Sequence, residues 1–150
     1  MANGEQASRW HAVASWALVI AWAGVIFFMS AHTGSDFDQG TDFVAQVKQW
    51  LTGLQMALFG PDVDVISSIA HFCEYTVFGA LLQNALRLKV DARRAVAIAI
   101  ICASLYGVTD EIHQIFVPGR ACDPVDWIVD TLGATLGACA WWLMGRRRGA

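Results

Sequence analysis

Four apolar stretches, each long enough to cross a bilayer as a helix, constrain this chain more than anything else in it. They run from about residue 12 to 31, 65 to 86, 95 to 116 and 124 to 144. A bilayer core of about 30 Å takes about 20 helical residues. A backbone inside lipid must satisfy its own hydrogen bonds, and helices of this length do so. Of 150 residues, 56% are hydrophobic and 15% are charged. A soluble domain of this size has no interior large enough for that much apolar surface. The expected fold is an all-α membrane protein with four transmembrane helices, a single transmembrane domain over residues 1–150.

The first stretch resembles a secretory signal at its start, because Arg9 precedes a charge-free run from Trp10 to Thr33. That run is longer than a signal core and lacks a clean small-x-small cleavage pattern. It is read as a retained helix. Between the first two stretches, Phe43, Val47, Trp50, Leu51, Leu54 and Leu58 recur at three- and four-residue spacing. This predicts an amphipathic helix over about 42–59, ended by Gly60-Pro61-Asp62. It lies either on the membrane interface or across the ends of the other helices.

Lys and Arg in short loops set orientation. Arg9, then Arg87, Lys89, Arg93 and Arg94, then Arg146 to Arg148 fall on one side of a four-span chain. The other side carries Asp36, Asp38, Asp42, Asp62, Asp64 and Asp123, with Lys48 and Arg120 as its bases. The expected location is therefore the bacterial inner (cytoplasmic) membrane, multi-pass, with both termini cytoplasmic. A net charge of −3 with one basic run leaves no basic face for nucleic acid. The four Cys have no CxxC or zinc-finger spacing. Cys102 and Cys139 read as small core residues, and a Cys73–Cys122 disulfide stays open.

Ionisable groups inside membrane-length segments are expensive and usually mark a functional site. Asp110, Glu111, His113, Gln114, Arg120, Asp123, Asp126 and Asp130 crowd into 21 residues, and His71 and Glu74 interrupt the second apolar stretch. At a rise of about 1.5 Å per residue, Asp110 lies about 24 Å along the third helix from Arg94. On the same scale His71 and Glu74 lie about 9 and 14 Å in from Val65, and Asp126 and Asp130 about 3 and 9 Å in from Pro124. Three helices thus bring polar groups to one outer-leaflet depth. His71, Glu74 and Tyr75 share a face, as do Tyr106, Asp110, His113 and Gln114. Gly133-x-x-x-Gly137, with Gly79 and Gly107, permits close helix approach. The Pro118-Gly119 turn is expected to fold Arg120 back onto a carboxylate: Glu111, Asp110, Asp126 or Glu74. Tyr106 and His32 read as core and loop residues. Asp123 and His113 are placed either in the cluster or facing an aqueous loop.

Taken together, these residues form a familiar set. His71-Phe72-x-x-Tyr75, then Tyr106-Gly107-x-x-Asp110-Glu111-x-x-Gln114-x-Phe116-x-Pro118-x-Arg120, then Asp126-x-x-x-Asp130-Thr131-x-Gly133-Ala134-x-x-Gly137 resemble the VanZ-like family. Phe27-Phe28-Met29-Ser30 is similar too, and only 35–64 stands apart. Members often have Asn where this chain has Asp130, so the chain adds a carboxyl there. The resemblance implies a small polytopic membrane protein, and the name-giving member is associated with resistance to the glycopeptide teicoplanin.

Two functional readings and one structural reading follow. In the first, His71, Glu74, Tyr75, Asp110, Glu111, Gln114, Arg120, Asp126 and Asp130 bind a lipid or envelope-precursor headgroup, with Arg120 holding the anion. The expected partners are membrane lipids and a lipid-linked cell-wall precursor. A transporter is a variant of this reading. In the second, the chain is an intramembrane enzyme whose carboxylates and His act as acid and base on a lipid-linked substrate. Its metal variant uses His71, Glu74, Asp110, Glu111 or His113 as ligands, without an HExxH motif to support it. Otherwise the sequence calls for no cofactor. In the third, the network only fastens helices together.

Overall fold

The computed structural model describes residues 2–32, 46, 50, 53–58 and 65–147. Four long helices follow one another: α1 (Ala2–Ser30), α2 (Val65–Leu86), α3 (Ala92–Gln114) and α4 (Pro124–Arg147). Each is long and apolar enough to cross a membrane, α1 over Arg9–Ser30. No strand occurs among the described residues. A short helix over 53–58 lies between α1 and α2. Gln46 and Trp50 are also helical, and the rest of the amphipathic stretch expected over 42–59 falls outside the described residues.

Local chemistry sets the helix ends. The first N–H groups of a helix have no partner inside it. The Gln55 side chain accepts a bond from Ile66 N at 3.0 Å, which satisfies one of these donors in α2. Asp91 caps α3 by accepting from Arg93 N and Arg94 N at 3.2 and 3.4 Å. This cap starts α3 at Ala92, upstream of the Ala95 start suggested by apolar content. Asp123 Oδ1 accepts from Val125 N at 2.8 Å, and Pro124 takes the first helical position, where its missing N–H costs nothing.

The 87–91 and 115–123 connections are too short for anything but antiparallel neighbours. α2 and α4 therefore run parallel, and they form the tightest seam in the bundle. A Cβ on Gly79 would collide with the Ala134 backbone, one on Gly133 with Phe72, and one on Gly137 with Thr76. These three glycines let the two backbones touch, which a side chain at any of them would prevent. α1 packs on α2 and more lightly on α3, and among the described residues it does not reach α4. Among the described residues four bonds fasten it there: Trp22 Nε1 donates to Glu74 O at 2.9 Å, Asn84 Nδ2 to the Ser15 hydroxyl at 3.3 Å, the Tyr106 hydroxyl to Ala23 O at 2.7 Å and the Ser30 hydroxyl to Asp110 at 2.7 Å.

The bundle is inverted relative to a water-soluble one. Ile20, Ile101, Leu105, Ile128, Leu132 and Leu136 point outwards. Ser15, Ser30, His71, Gln83, Asp110, Glu111, Gln114 and Asp130 are buried, alongside Ala95, Ala99, Ala103, Ala134 and Ala138. Lipid tails solvate Leu and Ile as well as a protein core does, so small residues close the interior and polar groups find partners there. All four cysteines are free. Cys102, expected as a core residue, faces outwards.

Alternation of the helices gives the bundle two unlike ends. One end carries Arg9, Arg87, Lys89, Arg93, Arg94, Arg146 and Arg147. The other gathers the last turn of α1, the first turns of α2 and α4, the last turns of α3, and Asp123 and Arg120 in the loop between α3 and α4.

Candidate functional site

At the acidic end, four buried side chains converge from three helices: His71 from α2, Asp110 and Glu111 from α3, and Asp130 from α4. Each offers a nitrogen or oxygen ligand atom, and these atoms lie within 4.8 Å of one another. Helical spacing puts Asp110 and Glu111 side by side, and the α2–α4 seam brings His71 against Asp130. Gly107 makes room for them. A Cβ there would stand 3.1 Å from Asp130 Oδ2.

Each carboxylate is held by one of its oxygens. Asp130 Oδ1 accepts from His71 Nδ1 at 3.0 Å, in a bridge that is almost wholly buried. Asp110 Oδ2 accepts from the Ser30 hydroxyl at 2.7 Å, which ties the end of α1 into the site. Glu111 Oε2 accepts from Asp123 N at 2.7 Å and so fixes the loop ahead of α4. The opposite oxygens of two of them, Asp130 Oδ2 and Glu111 Oε1, are buried without a hydrogen-bond partner. So are the Tyr75 hydroxyl and Gln114 Nε2, on side chains 0% and 1% exposed. Buried polar atoms normally find partners, and this many orphans in one place is unusual.

Around this core stand Glu74, Asp126 and Arg120, all half-buried. Asp126 Oδ1 accepts from the Ser68 hydroxyl at 2.9 Å. Arg120 donates to the Ser67 hydroxyl at 3.4 Å, and its Nε is buried without a partner. The expected Arg120–carboxylate pair does not form among the described residues. Gly119 takes φ 81°, and the turn directs Arg120 towards the start of α2. The nearby carboxylates Asp110, Glu111 and Asp126 already have neutral donors. The guanidinium still acts electrostatically on Glu74 and Asp110.

A family model described as VanZ/LLP1 matches residues 15–145. The chain belongs to the VanZ-like family. No curated protein and no solved structure matches it.

Of the nine residues singled out in this VanZ-like sequence, His71, Asp110, Glu111 and Asp130 form the tight group, with Tyr75 and Gln114 buried beside it. Glu74, Asp126 and Arg120 stand outside. His113 joins neither set. Its ring stacks on Phe27 with centroids 4.4 Å apart, which is a packing role between α1 and α3. Tyr106 and His32 bond to backbone carbonyls of α1. Ser30 was missed as a member of the site. Its stretch carries part of the family resemblance, but no contact of the side chain can be read until the helix is placed opposite Asp110. Ser67 and Ser68 were missed for the same reason.

Proposed function

We propose that this VanZ-like protein binds the anionic headgroup of a lipid, or of a lipid-linked envelope precursor, at the acidic end of its bundle. The observation that carries this reading is Arg120. It is a half-buried guanidinium bonded to a hydroxyl rather than to a carboxylate, with an unpartnered Nε, at the edge of a buried polar cluster. A planar fork with free donors suits a phosphate or carboxylate.

By the distribution of Lys and Arg, the acidic end faces outwards from a bacterial inner membrane and both termini are cytoplasmic. A headgroup held there belongs to the outer leaflet, and a lipid-linked cell-wall precursor presented there would be within reach of the site. Holding or masking that precursor would connect the site to glycopeptide resistance.

The test is binding in nanodiscs. Phosphatidylglycerol should copurify with and bind the wild-type protein in preference to phosphatidylcholine, and Arg120→Ala should remove the preference. Equal retention of both lipids by both proteins would overturn the proposal.

A second reading draws on Ser30. Its hydroxyl donates to Asp110 at 2.7 Å, the arrangement in which a carboxylate activates a hydroxyl for acid–base chemistry on a lipid-linked substrate. Release of phosphate from a lipid phosphate by wild-type protein but not by Ser30→Ala would favour it.

A further inference from the structure

We propose that His71, Asp110, Glu111 and Asp130 form a binding site for one divalent transition cation, Mn2+ or Zn2+, at the centre of the polar cluster. Their ligand atoms lie within 4.8 Å of one another, the spread of donors around a single ion. All four residues are buried, so no bulk water offsets the repulsion of three carboxyl groups this close together. A divalent cation does.

Hydrogen bonds to two of the four groups match what a metal centre requires. Ligands are normally oriented by partners on the atoms that do not touch the metal. Glu111 is held through Oε2 by Asp123 N and Asp110 through Oδ2 by the Ser30 hydroxyl, two donors from outside the group and from different parts of the chain. Asp130 Oδ2 and Glu111 Oε1 are left buried and unpartnered, as free lone pairs. His71 Nδ1 is the ring nitrogen turned towards Asp130, so an ion held by both residues would take the place of the bond between them.

The Tyr75 hydroxyl is an independent pointer. It is fully buried, without a hydrogen-bond partner, and within electrostatic reach of Asp130, Asp110 and Glu111. A buried hydroxyl left without a partner beside these carboxylates suits a donor to a water carried by the ion. One imidazole with three carboxylates suits Mn2+ or Zn2+. Mg2+ holds its waters tightly and gains little from a nitrogen ligand.

The site stands whether or not Arg120 binds an anion, and the experiment keeps the two apart. Chelator-treated protein is titrated with MnCl2 and ZnCl2, with bound metal counted by mass spectrometry. Wild type should take up about one equivalent of one of these ions, and equimolar MgCl2 should not displace it. Glu111→Gln keeps an oxygen for Asp123 N, and Asp130→Asn keeps one for His71. Each should weaken uptake at least tenfold with the metal-free melting temperature near that of wild type. Asp126→Asn, outside the group, should leave metal uptake unchanged. Arg120→Ala should also keep the metal, whatever it does to lipid retention. No uptake by wild type, or equal uptake by Glu111→Gln and Asp130→Asn, overturns the metal site. Metal uptake with no lipid preference overturns the headgroup reading alone.

Discussion

At the scale of single residues, the same groups would serve equally well as a fastener or as a binding site, and mutations separate the two. Charge-assisted hydrogen bonds contribute about 1.5–3 kcal/mol each. Arg120→Ala should therefore weaken lipid headgroup binding roughly 10- to 100-fold. Because Arg120 follows a turn and has no ion-pair partner among the described residues, its truncation should leave the melting temperature almost unchanged. Glu111→Gln keeps the bond to Asp123 N and relieves repulsion from Asp110 and Asp130, so it should also fold normally. Any teicoplanin tolerance conferred by the chain should vanish in both variants at normal membrane abundance. Parallel measurements of abundance and tolerance check this, and a proportional fall in both would mean that the residues only hold helices together. Gly107→Ala probes the site without touching a charge. A methyl group 3.1 Å from Asp130 Oδ2 must push that carboxylate aside. Metal or headgroup affinity should fall several-fold while the protein still folds.

At the scale of helices, the α2–α4 seam holds the site together. Gly133→Ala or Gly137→Ala forces apart backbones already in contact, and overpacking of this kind costs about 1–3 kcal/mol. Gly24→Ala, on the outer face of α1 with nothing within 4 Å, is the matched control. It should be neutral or mildly stabilising by up to ~1 kcal/mol, since Ala favours a helix over Gly. Thermal unfolding in detergent checks the contrast. The helices themselves were legible in the sequence, because lipid admits few alternatives to a long apolar helix. All four residues of the tight group were named from the sequence, His71, Asp110 and Asp130 from depth along their helices and Glu111 from the crowding of costly charges beside Asp110. Depth along a helix can be counted, but rotation about its axis cannot. For that reason Glu74 was grouped with His71 although it stands outside, Ser30 was overlooked, and Arg120 was assigned a carboxylate when the turn sends it towards Ser67.

At the scale of the whole molecule, charge is sorted between two ends. Basic groups gather where α2 meets α3 and where α4 stops, and the polar cluster lies at the other end. If this asymmetry follows the rule for cytoplasmic loops, Cys122 faces the outside. It is exposed in the α3–α4 loop. In a variant retaining only that cysteine, a membrane-impermeant maleimide should label intact spheroplasts without lysis. Labelling that requires lysis would reverse the orientation and place the polar cluster on the cytoplasmic side.

The interlocking of the four helices also has a consequence for biogenesis. The Ser30–Asp110 bond joins residues 80 positions apart, and the His71–Asp130 bond joins residues 59 apart. A ribosome therefore releases α2, with its histidine, long before the partner on α4 has been translated. Until then the nascent chain holds uncompensated polar groups in the bilayer or its insertion channel. The cluster is complete only once the last helix, which carries Asp130, has packed its glycines against α2. A chain truncated before Asp130 would be an unfinished client for membrane quality control, with three helices inserted and no centre.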